Sequence, residues 1–117
     1  MKIRIKGNSL RYRLTKRDVD QFSKEGYLEE TTNFGNRQLI YALQRNDQDN
    51  ITASLQNNKI ILNMPATMAT EWAQTERVGF DGHDNELYLL IEKDFKCLDN
   101  VAEDQSDNYP NPQGNRF

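Results

Sequence analysis

The chain has 117 residues, of which 36% are hydrophobic and 28% charged, with a net charge of −3 and a pI near 5.1. That length suits one domain burying roughly two-thirds of the surface its unfolded chain exposes, and no apolar run approaches the ~20 residues of a membrane span. The charged opening MKIRIKGN lacks the hydrophobic region of a signal peptide and the single cysteine, Cys97, excludes an intramolecular disulfide, so a cytoplasmic protein is expected.

The first elements are a hairpin and a helix. Gly7 and Asn8 tolerate positive φ side by side, as a two-residue hairpin loop requires. This sets Lys6 opposite Ser9, Ile5 opposite Leu10, Arg4 opposite Arg11, Ile3 opposite Tyr12, Lys2 opposite Arg13 and Met1 opposite Leu14. Side chains alternate along a strand, so Met1, Ile3, Ile5, Leu10, Tyr12 and Leu14 form an apolar face. Lys2, Arg4, Lys6, Arg11 and Arg13 share the opposite one. Thr15 and Asp18 then have the spacing of a capping box, flanked by Leu14 and Val19 as a hydrophobic staple. Phe22 joins Val19 on the sheet-facing side, and Gly26 suits a left-handed helix end.

Residues 27–32 and 38–44 read as two strands joined around Asn33, Phe34, Gly35 and Asn36. Leu39, Tyr41 and Leu43 alternate with the equally apolar Ile40 and Ala42, which predicts a strand covered on both faces, by a closed sheet or a helix. The polar run from Asn46 to Asn50 has alternating aspartates but neither the glycine nor the distal glutamate of a calcium loop, and reads as a turn. Strands at 51–56 and 59–64 follow, around Asn57 and Asn58. Pro65 suits the first turn of a helix that carries Met68, Ala69, Trp72 and Ala73 towards the core. Strands at 77–80 and 86–95 flank the turn-like Asp81-Gly82-His83-Asp84-Asn85. Neither His83 nor Cys97 has a neighbour at zinc-ligand spacing, so no metal and no cofactor is expected.

A shift of fifty residues brings the pattern back. Met1, Ile3, Ile5, Leu10, Tyr12 and Leu14 fall on Ile51, Ala53, Leu55, Ile60, Leu62 and Met64, and Val19 and Phe22 on Ala69 and Trp72. Downstream, Leu28 falls on Val78, Leu39 on Leu89 and Tyr41 on Ile91. The expected fold is α+β: two repeated strand-strand-helix-strand-strand units, residues 1–46 and 51–96, in one domain (1–96), forming a mostly antiparallel, curved or barrel-like sheet with two helices. Residues 97–117 read as an acidic, proline-containing tail, with Asp99, Glu103, Asp104 and Asp107 and no base between the first and last of these. The first 17 residues hold seven Lys or Arg and no acid, so the charge is polarised between the two ends.

MKIRIKGNSLRYRLT at the start, ERVGF in the middle and EKDFKCLDNVAEDQSDNYPNP at the end resemble a family of short bacterial proteins classed as a domain of unknown function. The resemblance spans nearly the whole chain and implies that the tail belongs to the protein. It carries no activity or catalytic residue to transfer.

The functional candidate is therefore the cationic hairpin face. Like charges directly opposite in a hairpin disfavour it by about 0.2–1 kcal/mol per pair, so Arg4 with Arg11 and Lys2 with Arg13 need compensation. Neighbouring acids such as Glu29, Glu30, Glu92 or Asp94 can provide it, as can docking of the tail through Asp99, Glu103, Asp104 and Asp107, or an external anion. The sequence reading is a binding or interaction module whose partner is an anionic small molecule or an acidic protein segment. Two alternatives stand beside it. Two strand-strand-helix-strand halves around a cationic interior resemble the triphosphate tunnel enzymes, but Lys2, Arg4 and Lys6 stand where that family has its metal-holding glutamates, so catalysis is not favoured. Nucleic acid is disfavoured because Tyr12, the aromatic residue available for stacking, points to the apolar face, and the chain is acidic.

Overall fold

A computed structural model describes residues 1–95. The elements in chain order are β1 (Lys2–Lys6), β2 (Ser9–Leu14), α1 (Lys16–Glu25), β3 (Tyr27–Asn33), β4 (Gln38–Asn46), β5 (Thr52–Gln56), β6 (Lys59–Pro65), α2 (Ala66–Gln74), β7 (Gly79–Asp84) and β8 (Leu87–Lys93). The tail and Cys97 lie outside the described residues.

The first hairpin forms in the predicted register, from Lys2 opposite Arg13 to Lys6 opposite Ser9. Its loop turns on Gly7 at φ +53 with Asn8 at negative φ, the pattern of a type II′ turn. The corresponding loop of the β5–β6 hairpin has both Asn57 (φ 52) and Asn58 (φ 64) left-handed, the pattern of type I′. Asparagine tolerates that region better than other side chains, so two chemically different pairs produce the same reversal.

The strands assemble into two four-stranded sheets, β1-β2-β8-β7 (sheet A) and β3-β4-β6-β5 (sheet B). Each consists of two antiparallel hairpins joined by a central parallel pair, β2 with β8 in sheet A and β4 with β6 in sheet B. The fold is thus two mixed sheets, with four antiparallel pairings and two parallel, in place of one curved sheet, and neither closes into a barrel. Each unit also contributes one hairpin to each sheet, so exchanging the two units turns one sheet into the other. The helices explain this crossing. α1 follows β2 in sheet A and leads to β3 in sheet B, while α2 follows β6 in sheet B and leads back to β7 in sheet A.

The duplication is real but slips by two residues after the helices. Leu10 pairs with Leu89 and Leu43 with Leu62 across the parallel joints, and the Tyr88 N–H donates to the Asn8 carbonyl just as the Ile40 N–H donates to that of Asn58. This makes Leu28 the counterpart of Phe80, Tyr41 of Leu89 and Leu43 of Ile91. Val78, expected to match Leu28, is 47% exposed and lies before β7. A slip of two keeps every side chain on its face, so the polarity pattern survives although the alignment is wrong.

A single core joins both sheets and both helices. Leu10, Tyr12, Leu14, Phe80, Leu89 and Ile91 of sheet A meet Leu28, Leu43, Ile60, Leu62 and Met64 of sheet B, with Val19 and Phe22 of α1 and Ala69 and Trp72 of α2. Phe22 and Trp72 make an edge-to-face contact with ring centroids 6.4 Å apart. The Trp72 indole donates to the Val78 carbonyl at 2.9 Å, and the buried Tyr12 hydroxyl to that of Ile60 at 3.4 Å. Of the predicted apolar face Ile3 is half-buried and Ile5, beside the hairpin tip, is 59% exposed, like its counterpart Leu55 at 68%.

Other differences from the sequence reading are local. Asp81-Gly82-His83-Asp84 is strand, and the turn is Asn85-Glu86 with Asn85 at φ 58. Pro65 ends β6 and precedes α2 instead of lying in its first turn. Among the described residues no helix or closed sheet covers the outer face of β4: Ala42 is buried between its strand partners Glu29 and Ile61, while Ile40 and Ile61 are half-buried on that side.

Candidate functional site

Sheet A turns the predicted cations outward. Its strand pairings set out three rows across this face: Lys2, Arg13, Glu92 and Gly79; then Arg4, Arg11, Leu90 and Asp81; then Lys6, Ser9, Tyr88 and His83. Because β2 and β8 are parallel, residues about eighty apart in sequence are brought side by side.

The first row is neutralised. Glu92 Oε2 accepts from Arg13 Nε at 2.8 Å and lies 3.6 Å from Arg11 Nη1. Asp94 Oδ2 is 2.9 Å from Lys2 Nζ, and Asp94 Oδ1 is 4.0 Å from Arg13 Nη1. The other two acids named as compensators act elsewhere. Glu29 accepts from the Tyr27 hydroxyl and faces Lys59 at 3.7 Å, and Glu30 holds the Met1 amine at 3.0 Å.

The second and third rows differ. Arg4 stands directly opposite Arg11, and neither Arg4 nor Lys6 has an acid within ion-pair distance among the described residues. Both line a shallow groove of about 180 Å³ together with Ser9, Leu10, Arg11, Tyr88 and Leu90. Arg11 is the most enclosed of the paired cations here, its side chain 27% exposed. The Tyr88 hydroxyl donates to Asp81 Oδ2 at 2.8 Å, and His83 tilts against the Tyr88 ring with centroids 5.2 Å apart. That hydrogen bond holds the Tyr88 phenol above its ordinary pKa, since losing the proton would set two anions together. The groove thus has a cationic bank on β1 and β2, an apolar floor and a phenol tied to a carboxylate on its far bank.

The sequence reading found the cationic bank and missed Leu90 and Tyr88. The available signal was the run Leu87-Tyr88-Leu89-Leu90-Ile91, apolar on both faces of the strand. The predicted contacts of Asp99, Glu103, Asp104 and Asp107 lie outside the described residues. Among the described residues no group of three or more His, Cys, Asp or Glu is placed to hold a metal ion, and no helix is long and apolar enough to cross a membrane.

A second charged cluster lies at the helix end. The Met1 amine donates to Asp18 Oδ2 at 2.8 Å and to Glu30 Oε2 at 3.0 Å, while the same Asp18 carboxylate closes the capping box on the Thr15 N–H. Burial disfavours the charged amine, but the hydrogen bonds to Asp18 and Glu30 outweigh it and raise its pKa. Burial likewise opposes ionisation of Asp18, and the bonds from the amine and Thr15 bring its pKa below the ordinary value. This cluster pins the start of β1 to α1 and β3 and has a structural role.

No curated protein and no solved structure matches this chain. Residues 1–113 match a family of unknown function, and with that span, which takes in both units and the cationic hairpin, the chain belongs to the DUF7009 family.

Proposed function

We propose that the chain is a binding or interaction module that recognises an anionic group on the outer face of sheet A. Arg4, Lys6 and Arg11 supply the direct contacts, and Lys2 and Arg13 add a flanking positive field already tempered by Glu92 and Asp94. The observation that carries this reading is a like-charge pair of which one member, Arg4, has no acid within ion-pair distance among the described residues. Arg4 faces Arg11 across the hairpin with Lys6 beside it, while Asp94 is held by Lys2 and Glu92 is shared between Arg13 and Arg11. An anion set among them relieves a repulsion the fold otherwise carries, and guanidinium groups suit phosphate or carboxylate oxygens through paired N–H donors.

Two sources of anion compete for so small a face: an external phosphate-bearing ligand or acidic protein segment, and the chain's own Asp99, Glu103, Asp104 and Asp107. Exposed contacts of this kind are worth about 0–1 kcal/mol each and weaken with salt, so several must act together. The test titrates the intact chain with inorganic phosphate at low ionic strength. It is repeated for a variant in which the four tail acids are replaced by their amides, and for Arg4→Gln with Lys6→Gln. The tail variant is expected to bind more tightly and the double cation variant to lose binding. Equal weak binding by all three proteins contradicts the reading.

A further inference from the structure

The groove beside Arg4 and Lys6 is not a plain phosphate cradle. Leu90 lies along it, and Tyr88 presents a ring whose hydroxyl is already committed to Asp81. A cradle built for a bare oxyanion surrounds it with donors. This one has donors on a single bank, formed by Arg4, Lys6 and Arg11, against an apolar floor. Its volume of about 180 Å³ falls below the ~300–1,000 Å³ of sites that take drug-sized ligands, so it accommodates a body of about one ring.

We infer that, within the anion-binding reading above on which this rests, the groove is specific for an aryl phosphate: the phosphate lies between Arg4, Lys6 and Arg11, and the ring lies over Leu90 against Tyr88. The internal duplication supplies a control. The counterparts of Arg4, Lys6 and Arg11 on sheet B are Ser54, Gln56 and Ile61, and those of Tyr88 and Leu90 are Ile40 and Ala42. Sheet B keeps an apolar strip, and the cation on that face, Lys59 at the position of Ser9, is paired with Glu29 at 3.7 Å, so it binds neither the phosphate nor the pair. One site per chain follows.

Aryl phosphate reaches a protein either as a small molecule or as a phosphotyrosine side chain, and the two are separable by titration. The full-length protein is titrated with inorganic phosphate, phenyl phosphate, phenol and a short phosphotyrosine peptide, each at low salt. Covering one ring face should make phenyl phosphate bind about tenfold more tightly than phosphate, with phenol not binding. Leu90→Asn should remove that advantage, so that phenyl phosphate binds no more tightly than phosphate. The comparison within the unaltered protein stands even where that variant fails to fold. A peptide that binds more tightly than phenyl phosphate assigns the site to a protein partner, and equal affinity assigns it to a small molecule. Equal binding of phosphate and phenyl phosphate overturns the aryl inference and leaves the anion-binding reading intact. Binding of none of these overturns both.

Discussion

The outer faces of the two sheets share a backbone plan and differ in chemistry. On sheet A the first hairpin presents Lys2, Arg4, Lys6, Arg11 and Arg13; at the same positions sheet B presents Thr52, Ser54, Gln56, Ile61 and Asn63. Sheet B needs no compensation, and its Asn63 side chain simply donates to Thr52 Oγ1 at 3.1 Å. Both copies build the same hairpin against the same core, and the second does so without these five cations. The cations are present in one copy only, and two of them lack an acid among the described residues, which separates them from the scaffold.

The inner faces make the opposite comparison: here the two units are alike and interdependent. Phe22 and Trp72 occupy equivalent positions and touch, so Phe22→Ala and Trp72→Ala should each cost about 3–5 kcal/mol. Urea denaturation should show one transition in each variant, and the double variant should cost less than the sum of the two because the lost contact is shared. Two separate transitions would mean that the units fold independently.

The next prediction concerns a position where the units diverge. Gly79 is equivalent to Tyr27, but a Cβ on Gly79 would lie 2.3 Å from the Ile91 carbonyl oxygen, so β7 and β8 approach too closely there for any side chain. Gly79→Ala should destabilise by about 1–3 kcal/mol, read from the urea midpoint.

The helices differ at their starts. α1 has the Thr15–Asp18 capping box, and α2 has Pro65 with no side-chain cap. Thr15→Ala should therefore cost about 1 kcal/mol. The charge cluster on α1 gives this end its own pH dependence. Asp18 titrates below its ordinary value, so its contribution is complete above the usual carboxylate range and is lost as pH falls through the lowered pKa. The Met1 amine titrates above its ordinary value, so its contribution is complete below about pH 8 and is lost as pH rises through the raised pKa. Asp18→Asn should flatten both limbs of a plot of thermal midpoint against pH.

The smallest expected effect on stability is the most informative about the face. Glu92→Gln removes one charged partner of Arg13 and the nearest acid of Arg11, and should change stability by no more than about 1 kcal/mol. It leaves the groove more positive, so phosphate affinity should rise while sheet B is unaffected.

Much of this was legible in the letters. Gly7-Asn8 and Asn57-Asn58 determined two hairpin registers, and Thr15, Asp18 and Gly26 bounded a helix, because each signal acts over a few residues. What could not be read was which hairpin lies beside which. Nothing local states that β2 pairs with β8 instead of β4, and that pairing alone separates two open mixed sheets from one curved antiparallel sheet. The same limit applied at the site. Arg4 and Arg11 are joined by a two-residue turn and were found, whereas Leu90 and Tyr88 reach them only through the parallel joint. The repeat was recognised through polarity, which a slip of two residues does not disturb, and so Val78 was matched to Leu28 where Phe80 belongs.

The claim that one face of a duplicated scaffold has become a binding site is tested most directly by following backbone amide resonances of the full-length protein during a phosphate titration at low salt. The account predicts saturable shifts confined to Arg4, Lys6, Ser9, Arg11 and Leu90, with one site per chain and no response at Thr52, Ser54, Gln56, Ile61 or Asn63. Shifts of equal size on both sheets, or none that saturate, would contradict it.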